Sequence, residues 1–346
     1  MVCTMPFLRA LIRTARVIRH TPVLSTGLPA DHAVLLDAPD ERLSPALVAA
    51  AAGEYEPAAK LLATTRDAAE WESRDRYLRR LVAFARSRDG WLGDWLAAAP
   101  RDPDALLVKA QLAVDRAWES PARAEQLRDV GPLITAAAAG DPRDPVPWRL
   151  ALDHARGTQA THTTFEALWE EALQRSTHHY GCHVAALQYL SAAWYGSHRE
   201  CFDFAERAAE DSVPSSLVQA LPLRAAFAML TEGAPDARPT SVQEERIDAA
   251  ADLAISLSAA FAPGDPWPAE VRNLLAYVLV ARGRWAEALE QFGRIGPHAS
   301  SFPWSSVSGD PLGRFLEARE GARVQVASAT PLRQGAGQGR ARGHYA

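Results

Sequence analysis

Apolar residues recur in threes and fours along this chain, the period of helices that bury one face. β-Branched residues seldom alternate with polar ones, and no segment reads as a strand. The pattern breaks where proline and aspartate gather: "AAPRDPDALL" up to Leu107, "GDPRDPVPWRLAL" from Gly140 to Leu152, "TEGAPDARPTS" from Thr231 to Ser241, and "APGDPWP" from Ala262 to Pro268. Proline cannot continue a helix and aspartate caps the next one, so these stretches are punctuation. The spacing predicts an all-α chain of about fifteen helices between residues 42 and 320, joined by short loops.

Two distant segments share a finer signature. "GEYEPAAKLL" (Gly53 to Leu62) and "GRWAEALEQF" (Gly283 to Phe292) both have an aromatic two residues after glycine, Tyr55 or Trp285. Alanine follows at plus five (Ala58, Ala288) and a large apolar residue at plus nine (Leu62, Phe292). Glycine permits a tight turn between paired helices, the aromatic wedges into it, and alanine lets the helices approach. This spacing resembles the tetratricopeptide repeat, which implies antiparallel helix pairs stacked into a curved solenoid. In the later copy it reaches back to Leu275 and Ala276 and forward to Ile295, which stands where the family usually has alanine. No proline closes the unit at the family's spacing, so the fold class expected is a degenerate tetratricopeptide-like α-solenoid.

From Trp91 to Ala209 the order of features is also similar to a family of bacterial helical-repeat proteins from which no activity carries over. The residues concerned are "GWLGDWLAAAPRDPDALLVKA", "DPVPW" and "HHYGCHVAALQYLSAAWYGSHRECFDFAERA". Trp194, Gly196, Ser197, Phe204 and Ala205 fall at that family's places.

The two ends differ in character from the middle. "FLRALIRTARVIR" puts Leu8, Leu11, Ile12, Ala15 and Ile18 on one stripe, with Arg9, Arg13, Arg16 and Arg19 around it. This basic amphipathic helix suits a cover for the end of the fold better than a membrane surface. Its arginines interrupt any signal-peptide core, and no run approaches the roughly 20 apolar residues that span a bilayer. After Glu320 there are no acidic residues, and "RQGAGQGRARGHYA" reads as a disordered tail. The expected division is therefore a basic helix and linker over 1–30, a helical-repeat domain over 31–320, and a tail over 321–346.

Charge and cysteine content narrow the function classes. A net charge of −5 gives no overall positive field for a nucleic-acid binder. Cys3, Cys182 and Cys201 are too few and scattered for a disulfide framework, which fits a reducing cytoplasm. Arg74, Arg76, Arg79 and Arg80, with Trp71 and Tyr77 between them, form the densest basic cluster, but Glu72 and Asp75 lie close enough to neutralise part of it. The expectation there is a solvated, salt-bridged face.

"HHYGCH", from His178 to His183, is the one stretch that suggests a metal. On a helix His179 and His183 share a face, and His198 or Cys201 would be the further donors across a turn. The spacing matches no closed zinc motif, and H-E-x-x-H, paired C-x-x-C, nucleophile-elbow and phosphate-loop patterns are missing. Ser197 followed by Glu200 reads as a capping box. The preferred reading is a cytoplasmic, non-catalytic scaffold, without cofactor, that binds a protein or peptide on its concave face. Helices over 105–117, 182–194 and 269–281 would supply contacts, with Gln111, Gln188, Tyr189, Asn273 and Tyr277 as candidates. The alternative is a small-molecule site or enzyme using the His/Cys cluster over 178–201, with His179, His183 and His198 as metal ligands.

Overall fold

The computed structural model describes residues 27–232 and 240–329. The basic helix expected near the amino end, and most of the glycine-rich tail, lie outside the described residues. The described chain is all-helical. Its helices are α1 (Leu43–Ala52), α2 (Glu56–Asp67), α3 (Trp71–Ala85), α4 (Gly90–Ala98), α5 (Pro103–Glu119), α6 (Arg123–Arg128), α7 (Gly131–Ala138), α8 (Val146–Gly157) and α9 (His162–Arg175). They continue as α10 (Tyr180–Tyr189), α11 (His198–Glu210), α12 (Leu221–Glu232), α13 (Ser241–Ala259), α14 (Ala269–Ala281), α15 (Trp285–Ile295), α16 (Ser301–Trp304) and α17 (Pro311–Ala329). The last helix runs to Ala329 and buries Ala322 and Ala327, so order extends past the boundary expected at residue 320.

The shared glycine signature behaves as its chemistry requires. Gly53 and Gly283 are left-handed, with φ of 92° and 72°. At each, two backbone bonds close the preceding helix: Gly53 N–H to Ala50 O and Glu54 N–H to Ala49 O, then Gly283 N–H to Val280 O and Arg284 N–H to Leu279 O. Ala58, Leu62, Ala288 and Phe292 are fully buried, and Tyr55 stacks on Trp95 at 6.0 Å.

Helices α3, α5, α8, α10, α12 and α14 form a row in which each touches the next, and the helices between them pack onto that row. Its apolar core divides into a larger cluster from α10 to α17 and a second from α1 to α8, with a smaller one between them around Tyr189 and Phe165. The row curls, so that α3 reaches α10.

The two ends of the described chain meet. Leu35–Leu36 pairs in parallel with His298–Ala299, a two-residue ladder that no alternation in the sequence announces. Val34 is buried in the carboxyl-terminal core, Ser301 N–H donates to Asp37 at 2.9 Å, and Arg319 holds Pro29 O at 3.1 Å and also Asp31.

Buried charge is handled locally. Arg272, fully buried, donates to the Ser258 hydroxyl and to the carbonyls of Ser258, Phe261, Ala262 and Arg294. It thereby satisfies carbonyls left over at the carboxyl ends of α13 and α15. Arg74 donates to Asp104 at 2.5 Å, to Asp144 at 2.6 Å and to Leu62 O, which ties α3 to the starts of α5 and α8.

Candidate functional site

The basic cluster of α3 is the first place to look for an anion site, and it is neutralised. Arg76 pairs with Asp40 at 2.6 Å, Arg79 with Asp75 at 3.1 Å, and Arg80 with Asp37 at 3.0 Å. Arg74 is buried rather than solvated. Arg76 also lies 5.2 Å from the ring centres of both Tyr77 and Trp267, bridging α3 to the loop before α14. A cavity of about 130 Å³ remains there between Arg79, Arg80, Tyr180, Trp267 and Glu270, whose charges are paired with Asp75, Asp37 and Arg224.

From α3 a polar ladder follows α8. Arg149 donates to Asp75 at 2.7 and 3.0 Å and reaches Asp153, Asp153 accepts from Arg156, and Arg156 donates to Gln188 Oε1 at 2.9 Å. Burial favours the protonated form of Asp75, but the Arg149 and Arg79 guanidiniums overcome it and hold the carboxyl well below the usual range. Tyr180 N–H, at the start of α10, donates to Glu72 at 2.6 Å. Burial pushes the Glu72 carboxyl up.

The ladder ends at a hollow of about 410 Å³ between α8, α10, α12 and α16. Val184, Leu187, Trp194, Phe227 and Phe302 give it an apolar lining, while Arg156, Gln188, Ser191, Thr231 and Glu232 supply polar groups. Such a mixture, an apolar surface with a few polar groups, is how ligand sites are built.

"HHYGCH" resolves into helix-start chemistry. His179 caps α10: its Nδ1 accepts from Cys182 N–H at 3.2 Å, leaving the proton on Nε2, which has no hydrogen-bond partner. His183 Nδ1 donates to His179 O at 3.0 Å, and its ring meets Trp169 edge to face. Burial lowers the His183 pKa to about 4. His198 stands at the first turn of α11. Among the described residues no group of three or more His, Cys, Asp or Glu is placed to hold a metal, so His179, His183 and His198 do not form one. Burial pushes the Cys182 thiol well up and that of Cys201 to about 12, which keeps both out of the nucleophilic thiolate state. Ser197 caps α11 through Glu200 N–H as expected, but its hydroxyl turns to the Glu200 carboxylate.

The other candidates separate by burial. Tyr189 stacks on Phe165 at 3.7 Å inside the middle cluster. Asn273 is fully buried, donates to Ala269 O and His298 O, and accepts from Trp304 Nε1 at 3.0 Å. Tyr277 is half-buried against Phe227 and Trp304. Gln111 is buried and donates to Asp115. Gln188 alone of the five lines the hollow.

Four residues at its edge went unnoticed as a group. Trp118 and Trp194 meet edge to face at 5.3 Å. Arg123 lies 4.7 and 5.8 Å from their ring centres, and Arg156 lies 4.5 and 5.0 Å from them. Trp118 and Trp194 are far apart in sequence, and only tertiary packing brings them together. No protein-family model matches the chain, and neither a curated protein nor a solved structure was found to be similar to it.

Proposed function

We propose that this protein is a non-catalytic helical-repeat scaffold, tetratricopeptide-like in construction, that holds a protein or peptide segment in the hollow beside Gln188. The observation that carries the reading is the contrast between two polar regions. The arginines of α3 are paired with the carboxylates of Asp37, Asp40 and Asp75, whereas the hollow joins an apolar lining to polar groups. Buried Nε–H donors lack partners on Arg156, which lines it, and on Arg123 at its edge, as one does on Arg76 in α3. The helix row and its glycine turns support the repeat reading, since stacked pairs leave one continuous face for a ligand. His179 and His183 and both thiols bond to backbone groups in the interior, which weighs against the alternative of an enzyme there.

The test is site-specific photocrosslinking in the native cell. A photoreactive phenylalanine analogue in place of Gln188 should label one polypeptide in discrete stoichiometry, and the same analogue at exposed Val48 should not. Equal labelling from both positions, or labelling of no polypeptide from either, would reject the reading.

A further inference from the structure

We propose that the edge formed by Trp118, Trp194, Arg123 and Arg156 is an acidic-peptide site: it takes a glutamate or aspartate side chain while neighbouring apolar residues of the same peptide enter the hollow. The inference rests on the scaffold reading above and adds the chemistry of the partner.

Three observations converge. The first is charge balance. Along the ladder Asp75 and Asp153 pair with Arg79, Arg149 and Arg156, and the carboxylates of Glu72 and Asp115 lie near Arg79 and Arg149, so the ladder is balanced. Arg123 adds another positive charge and makes no ion pair among the described residues. The carboxyl ends of α5 and α8 favour cations at this edge, but a helix dipole fades within a turn and the full charge of Arg123 exceeds it.

The second observation is bonding capacity. Nε of both Arg123 and Arg156 is buried without a hydrogen-bond partner. A guanidinium only donates, so the missing partner is an acceptor, and a carboxylate answers a planar guanidinium best. Both arginines are held on the indoles rather than free in solvent, so little side-chain entropy is lost when an acceptor arrives.

The third is continuity. Arg156 and Trp194 belong both to the charged edge and to the lining of the hollow. Leu187, Phe227 and Phe302 continue from them as an apolar surface. A lone inorganic anion would leave that surface wet, whereas a peptide alternating acidic and apolar side chains covers both. On the α12 wall Glu232 repels further acid and Arg224 is already paired with Glu270, which limits the acidic contact to the edge of Arg123 and Arg156.

The probe is a terminally blocked, dye-labelled peptide alternating glutamate and leucine, followed by fluorescence anisotropy on the full chain at low salt. The comparison peptide carries glutamine for glutamate. The glutamate peptide should bind about tenfold more tightly and shift tryptophan emission. Arg123→Gln, which breaks no ion pair among the described residues, should abolish that preference and the emission shift while leaving the thermal midpoint unchanged. Arg156→Gln should do the same to binding. Equal affinity for the two peptides, or a preference surviving both substitutions, overturns the proposal. Glutarate binding as tightly as the peptide also overturns it, by removing the peptide from the recognition. Crosslinking of a polypeptide from position 188 in cells would then still stand, so the scaffold reading and the acidic preference fail separately.

Discussion

His183 shows how burial alone sets a residue's chemistry. Its neutral ring donates Nδ1–H to His179 O, and desolvation lowers its pKa to about 4. The unfolded chain takes up this proton near pH 6.5, and the folded chain near 4. The stabilisation is therefore complete above the unfolded value and lost as pH falls through that window, up to about 3 kcal/mol. Urea unfolding of wild type and His183→Asn at pH 7 and pH 4.5 should show the wild type losing roughly 2–3 kcal/mol more, because asparagine keeps a donor but does not titrate. The comparison isolates His183 from Glu72 and Asp144, whose carboxyls burial pushes up and which act in the opposite direction. At this scale the sequence was a partial guide. Spacing put Gln188, Tyr189, Asn273 and Tyr277 on helices but could not say which of them point at open surface. Every residue of α10 except Gln188 is buried, so that helix has no polar face for a pattern to reveal. Asn273 looked like a contact because it is polar, yet its amide bonds both Trp304 and His298 O inside the core.

Elements were most legible where backbone geometry demanded glycine. Gly53 and Gly283 announced two helix turns, but the same paired closing bonds recur after α2, with Ala69 at φ 54°, and after α8, with Gln159 at φ 59°. Non-glycine residues accept the left-handed conformation at some strain, so these turns left no mark in the sequence. The irregular middle of the chain is thus more regular in its backbone than in its residues. Gly181 is a different case, set by approach rather than φ. A Cβ there would lie 2.4 Å from Asp75 Oδ2, the carboxylate that pairs with buried Arg149. Gly181→Ala should lower stability by about 1–3 kcal/mol by displacing that pair. Gly93, mid-helix with nothing within 4 Å of a Cβ, is the control, and Gly93→Ala should gain about 0.5–1 kcal/mol. Equal responses in chemical denaturation would remove the steric explanation.

On the scale of the whole molecule, the feature absent from any local pattern is the meeting of the ends. An open array is stabilised by contacts between neighbours, and its halves can unfold separately. Here the large clusters at either end of the row are also joined by contacts far apart in sequence: Asp37 bonds both Ser301, 264 residues away, and Arg80, and Arg76 lies between Tyr77 and Trp267. Asp37 is itself left-handed, at φ 55°, which asparagine tolerates, so Asp37→Asn removes charge without forcing the backbone to move. Combined with Arg76→Gln, it deletes the ion pairs to Arg80 and Asp40 and the stacked cation while leaving both apolar clusters whole. The wild type should unfold in one transition by tryptophan emission and circular dichroism. The double variant should separate into two, with the total apolar exposure, read as summed denaturant dependence, nearly unchanged. If the variant keeps one coincident transition that only moves to lower denaturant, the closure contributes stability but not unity, and cooperation between the halves must travel through α8 and α10 instead.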